Sequence, residues 1–147
     1  YDAGKENYPV VNITIAEAKA YCDWLTKQDR KHIYRLPSEE EWILGAGHMP
    51  KDVAMNANHI ESGLTAVDAY KQSGACGGID FWGNCWEWTT STDADGQYIV
   101  KGGSWDSKRD DCRSEKSDDV RADTQGYANV GFRIVRTDAS KSMKSKL

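Results

Sequence analysis

The stretch Gly83-Asn84-Cys85-Trp86-Glu87-Trp88, followed by Lys101-Gly102-Gly103-Ser104-Trp105 and later by Gly131-Phe132-Arg133, decides how the chain folds. Trp86, Trp88 and Trp105, joined by Trp42, read as anchors of an aromatic core, since each such ring buries roughly 150–250 Å². Glycines at 102, 103 and 131 suit close backbone approach between short strands. An arginine so near the core must meet buried acceptors, and Arg133 is expected to satisfy carbonyls or a carboxylate such as Glu87.

Two helices flank this centre on the N-terminal side. Thr14-Ile15-Ala16-Glu17 is a capping box, and Ile15, Ala18, Cys22 and Leu25 follow at helical spacing beside Tyr21 and Trp24, predicting a helix over 14–28. Ser38-Glu39-Glu40-Glu41 is a second capping box, with three acids that suit a helix N-terminus. Trp42, Ile43 and Ala46 supply its apolar stripe and predict a helix over 38–47. Strands are expected at Gln97–Lys101 and Val130–Arg136. From Pro50 to Asp80 the periodicity is poor, and Gly63, Gly74, Gly77 and Gly78 mark an ordered loop. A loop of that length in a compact domain has a reason, such as a bound ion or a function. No internal repeat is present. The polar, Lys-rich stretch 138–147 reads as a disordered tail to a domain over 1–137.

The 147 residues fit one domain with a real core. Leu, Ile, Val and Phe make only 23 of them, and six Trp and seven Tyr stand in for the missing aliphatics. A net charge of −4 and a pI near 5.4 argue against a general nucleic-acid binder, which needs a basic face. No apolar run approaches a membrane span, and no apolar stretch near Tyr1 reads as a signal peptide, so no membrane insertion is expected. Cys22, Cys76, Cys85 and Cys112 are too widely and irregularly spaced for a zinc site. They read as buried thiols, with one disulfide left open and three connectivities if all four pair. His32, His48 and His59 are scattered, as surface or locally bonded residues. No nucleophile triad or phosphate-cradling loop occurs.

Four blocks now stand in order: Tyr8-Pro9-Val10-Val11-Asn12 with Ala20-Tyr21-Cys22-Asp23-Trp24-Leu25; Arg35-Leu36-Pro37-Ser38-Glu39-Glu40-Glu41-Trp42; Gly83 to Trp88; and Lys101 to Trp105 with Gly131-Phe132-Arg133. Together they resemble the formylglycine-generating-enzyme/sulfatase-modifying domain, a variant of the C-type lectin fold, over nearly the whole chain to about Arg136. The resemblance implies an α+β fold with two helices, short antiparallel strands and much irregular loop. Enzymes of the family hold copper(I) with two cysteines after the Gly-Gly-Ser-aromatic motif. The matching positions here are Ser107 and Cys112, and a hydroxyl cannot replace a soft thiolate. No catalytic residue and no required cofactor are therefore expected.

The resemblance also implies two calcium sites. One matches Asn58, His59 (through its carbonyl), Asp68 and Tyr70 (carbonyl). The other matches Asp80, Gly83 (carbonyl), Cys85 (carbonyl) and Glu87. These are hard oxygen donors of the kind calcium takes.

Gly102 to Trp105, Cys112-Arg113-Ser114 and Gly131 to Arg133 further resemble the frame of the variable region in proteins diversified by retroelements. In that system template adenines are mutated. Asp106, Ser107, Asp110, Asp111, Ser117, Asp118, Asp119, Asp123, Thr124, Gly126, Tyr127 and Ala128 are all reachable from an Asn codon, whereas Glu115, Lys116 and Gln125 are not. The variable region then covers 105–130. Ten of these residues (Asp106, Ser107, Asp110, Asp111, Ser117, Asp118, Asp119, Asp123, Thr124 and Tyr127) are expected to form one exposed, ligand-binding face, framed by Trp105, Cys112 and Phe132. The implied partner is a protein of unknown identity, met at a virion surface or cell surface in a prokaryotic system. A non-diversified or catalytically inactive binding domain of the same fold is the first alternative, and a cysteine-modifying oxidase the second. Two short motifs are set aside in such a host: the terminal Ser145-Lys146-Leu147 and the glycosylation acceptor Asn12-Ile13-Thr14, whose threonine already serves as a helix cap.

Overall fold

Both capping boxes close in the computed structural model, which describes residues 6–57 and 63–139. Helix α1 (Ile15–Gln28) begins where Thr14 Oγ1 accepts from the Glu17 amide at 3.1 Å and Glu17 Oε1 accepts from the Thr14 amide at 2.9 Å. Helix α2 (Glu39–Ala46) repeats the device with Ser38 and Glu41 and stops at Gly47, whose φ of +70° no ordinary L-residue adopts cheaply.

Among the described residues six short strands follow two pairing schemes. Strand β1 (His32–Arg35) pairs antiparallel with β6 (Val135–Asp138) as a separate ribbon. The main sheet has the order β4-β3-β2-β5, built from β2 (Trp86–Thr92), β3 (Tyr98–Lys101), β4 (Val120–Arg121) and β5 (Val130–Gly131). Pairing is antiparallel except between β2 and β5, which run parallel with Trp86 opposite Val130. Three of these strands, β1, β2 and β4, go beyond the two expected from the sequence.

The expected strand over 130–136 is two strands. Between them Arg133 turns toward Glu87 instead of continuing a ladder. Nor do the 97–101 and 130–136 segments pair with each other, because β2 lies between them. The intervening segment therefore leaves beside β3, adds β4 on one edge, and returns as β5 on the opposite edge.

Two apolar clusters sit around this sheet. One packs Ile15, Ala18 and Cys22 of α1 against Leu36, Trp86, Trp88, Val100 and Val130. The other gathers Trp42, Ala46, Val53, Met55, Ala57, Phe81, Trp82 and Cys112. Trp42, Trp86 and Trp88 are core anchors as expected, at 4% exposure or less. Trp105 is only half-buried, so that expectation is corrected, and Trp82 at 3% is the fourth anchor. Gly102 and Gly103 leave no room for a side chain. Their φ values are +98° and +73°, a Cβ on Gly102 would stand 2.5 Å from the Phe81 carbonyl oxygen, and one on Gly103 would stand 3.0 Å from Cys112 Cα. The backbone itself fills the space there. All four cysteines are free thiols, three buried and Cys76 exposed.

Candidate functional site

Glu87 is the electrostatic centre of the fold. It lies on β2 at 5% exposure and accepts from Trp42 Nε1 at 3.0 Å. Arg133 grips it with both arms, through Nε to Oε1 and through an outer nitrogen to Oε2 at 2.8 Å. The same guanidinium reaches the carbonyls of Ile79 (3.2 Å) and Asp80 (3.0 Å) and stacks 3.7 Å over the Phe81 ring. Both partners expected of Arg133 are thus present, the carboxylate and the carbonyls.

Beside this pair, Asp80 and Asn84 occupy the left-handed region at φ +60° and +71°, which Asp and Asn tolerate better than other side chains. Asn84 organises the long loop. Its amide donates to the Thr65 carbonyl (2.8 Å) and to Asp80 Oδ2 (2.9 Å), while its oxygen accepts from the Thr65 amide (2.9 Å). Asp80 Oδ1 is buried and has no hydrogen-bond partner among the described residues. Burial raises the Asp80 carboxyl to about 7, with the Glu87 charge adding to the rise against the Asn84 hydrogen bond and the Arg133 charge.

Asp80, Gly83, Cys85 and Glu87 line one cavity of about 340 Å³. All four residues of the second expected calcium set thus line one cavity. Its orphaned carboxylate oxygen fits a hard cation, although Glu87 already spends three acceptor sites on Arg133 and Trp42. Of the first set, Asp68 is exposed, Tyr70 is half-buried, and Asn58 and His59 lie outside the described residues. Among the described residues no three His, Cys, Asp or Glu side chains converge as a metal-binding group.

The two positions matching the copper cysteines are interior. Cys112 is fully buried against Gly103, and burial with the neighbouring Asp111 charge raises its thiol to about 12. Ser107 is also buried, at 9% exposure, and its hydroxyl accepts from the Ser104 amide at 2.9 Å. Ser107 therefore leaves the expected exposed face, because it closes the turn after the glycine pair.

The other nine residues of that face divide. Asp106, Asp110, Ser117, Asp118, Asp123 and Thr124 are exposed, whereas Asp111, Asp119 and Tyr127 are half-buried. Lys116 draws Asp111 (3.5 Å) and Asp118 (3.4 Å) together. Asp106 is tied instead to Ser104 and Asn129. Tyr127 packs against Trp88, with the Arg121 guanidinium 5.6 Å from its ring centre, so it is held as much by the core as by the surface.

The sequence passed over several residues of this region. Arg113, Glu115 and Lys116 line an open cleft of about 510 Å³ with Ser117 and Asp118. Buried Ser114 accepts from Trp82 Nε1 at 2.9 Å and donates to the Gly47 carbonyl. The Cys112-Arg113-Ser114 alternation of small buried and long charged side chains is the signal for both. A second groove, of about 640 Å³, runs along Tyr8 to Asn12 past Trp105, whose buried indole N–H has no partner among the described residues.

A capped two-helix frame, a mixed four-stranded sheet and the Trp42–Glu87–Arg133 centre define a C-type-lectin-type domain of the formylglycine-generating-enzyme class. The chain belongs to the family described as sulfatase-modifying factor enzyme 1-like, whose model matches residues 2–138. It is 32% identical over 130 residues to "Inactive C-alpha-formylglycine-generating enzyme 2" of Bos taurus, across 69% of this chain, and 33% identical over 129 residues to the Mus musculus protein of the same name, again across 69%. The chain spans about 40% of the length of these curated relatives. Among solved structures it is similar to PvdO from Pseudomonas aeruginosa, with a TM-score of 0.79 and 23% identity over 94% of this chain and 64% of that one. It is also similar to Treponema denticola variable protein 1, with a TM-score of 0.76 and 17% identity over 93% of this chain and 74% of that one. Both likenesses establish the fold.

Proposed function

We propose that this domain is a non-catalytic display module. Its 106–129 segment presents exchangeable residues, diversified by a retroelement, to a protein partner at a virion surface or cell surface of a prokaryotic system. One observation carries the reading: exposed Asp110, Ser117 and Asp118, all reachable from an Asn codon, flank the buried anchors Cys112 and Ser114. A rigid frame with short polar side chains on its outside lowers the ordering cost of binding and suits adaptable contacts. The fold shared with Treponema denticola variable protein 1 supports the same reading.

Absence of catalysis is supported by the copper positions. Ser107 offers a buried hydroxyl, and Cys112 a thiol that stays protonated at neutral pH. The names of the bovine and mouse relatives agree with this. Purified protein given copper, oxygen and a cysteine-containing sulfatase peptide should make no formylglycine, and robust turnover would sink the proposal. The diversification claim is decided in the genome. It requires a near-repeat of the 105–130 coding DNA, differing at adenines, beside a reverse transcriptase gene; without one, the domain is a fixed binding module of the same fold.

No cofactor is required for display. Calcium at Asp80, Gly83, Cys85 and Glu87 would steady the long loop, and the unpaired Asp80 oxygen supports it. Millimolar calcium should then raise the melting temperature of chelator-treated protein, since a ligand of the native state stabilises it. An unchanged value would argue against the ion.

A further inference from the structure

Lys101 ends β3 with its side chain fully buried. Lysine is almost never found so placed unless its charge is met, and an apolar side chain would be buried at far less cost. Two of its three donors are hydrogen-bonded, and a carboxylate lies beside the ammonium. Nζ donates to the Lys116 carbonyl and to Ser117 Oγ at 3.3 Å, and Glu39 Oε1 lies 3.7 Å away. Glu39 is itself fixed at the first residue of α2, where its amide donates to Ser91 Oγ at 2.9 Å. The Trp42 ring centre lies 5.8 Å from the ammonium on another side.

The loop that Lys101 reaches is the one lining the 510 Å³ cleft. It is anchored at five points, and these differ in kind. Cys112, Ser114 and Ser117 are held by their own side chains, Ser117 Oγ donating to Glu39 Oε1. Residues 116 and 119 are held by their carbonyl groups, which accept from Lys101 and from the Val100 amide (3.1 Å) respectively. A carbonyl is present whatever side chain the residue carries.

We infer that Lys101 is a positioning residue for the recognition surface: from inside the domain it clamps the main chain of the 113–118 loop, so that the loop keeps one shape while the exchangeable side chains at 117 and 118 vary. The inference gives the proposed display function its mechanism and rests on that reading for its purpose. The clamp can be tested without any ligand.

The test is hydrogen–deuterium exchange on three proteins: the wild type, Lys101→Met, and a variant carrying Arg113→Ala, Glu115→Ala, Ser117→Ala and Asp118→Ala together. The reporter is the Lys116 amide, which donates to the Arg113 carbonyl at 3.1 Å. The controls are the Asn84 and Trp86 amides, bonded to the carbonyls of Asn56 and Asn129. The fourfold variant should keep Lys116 protection within about threefold, whereas Lys101→Met should speed its exchange about tenfold or more with both controls unmoved. An equal rise at the controls would make Lys101 a stability residue only and overturn the inference. So would an unmoved Lys116 amide in Lys101→Met, or lost protection in the fourfold variant. Should Lys101→Met not fold, the wild type decides through its lysine 15Nζ spectrum. A slowly exchanging Lys101 ammonium signal supports the clamp, and fast exchange overturns it. Neither result depends on a template repeat beside the gene, so failure of the clamp and failure of the display reading remain separable.

Discussion

Glu87 and the 113–118 loop both depend on buried charge, and they use it in opposite ways. At Glu87 recognition runs from side chain to side chain: Arg133 and Trp42 both meet its carboxylate. In the loop a buried charge meets main chain, through Lys101 and the Lys116 carbonyl, and Arg113, Glu115 and Asp118 lie exposed beside the anchors. One arrangement makes identity indispensable and the other makes it free. A domain built to vary in one place needs both, since a fixed centre is what allows a changing rim.

That contrast can be broken by substitution. Arg133→Met should be the most damaging change, costing about 3–5 kcal/mol in urea denaturation, because the Glu87 side chain at 5% exposure would be left with Trp42 as its one remaining partner. A loss below about 1 kcal/mol would mean that the centre tolerates change as the loop does. Ser114→Ala comes next, at about 1–3 kcal/mol, since the Trp82 indole N–H and the Gly47 carbonyl both lose their partner. It would show that the loop's side-chain anchors belong to the fixed class.

Smaller still is the Arg35–Glu41 pair, where the guanidinium holds the Glu41 carboxyl down to about 2 from its ordinary 4.5. A depressed carboxyl stabilises the fold above its unfolded value, and the stability is lost as pH falls from 4.5 through about 2. With both side chains roughly two-fifths exposed, solvent screening leaves about 0.5–1 kcal/mol. Over that pH range the wild type should lose this much more stability than Glu41→Gln, followed by thermal melting; parallel curves would show the pair to be idle. At the bottom of the scale, changing Asp110, Asp118, Asp123 and Thr124 to Ala should each move stability by less than about 0.5 kcal/mol. Unfolding of the combined variant would place them in the scaffold and end the display proposal.

The helices and the aromatic centre were legible because their signals are local. Thr14 with Glu17, Ser38 with Glu41, and Trp42 with its stripe need only a few neighbouring residues to be read. Strand pairing was not legible. Nothing within Val130–Arg136 says that β2 will lie between it and β3, since register and order are set by long-range packing. Ser107 was misplaced for a related reason. Its codon and polarity suggest exposure, and only the left-handed turn at Gly102 and Gly103 sends it inward. Lys101 drew attention only as the residue before a glycine pair, because a lone lysine in a sequence carries no sign of burial.

Strand β4 lies beside β3 on one edge of the sheet and β5 beside β2 on the other, so the 106–129 segment straps the sheet across its width. A single protease cut at exposed Thr124 would leave each half of the strap sewn to its own edge. The two fragments should travel together through a native column and part only in denaturant, which makes the domain a candidate for reassembly from two separately expressed pieces.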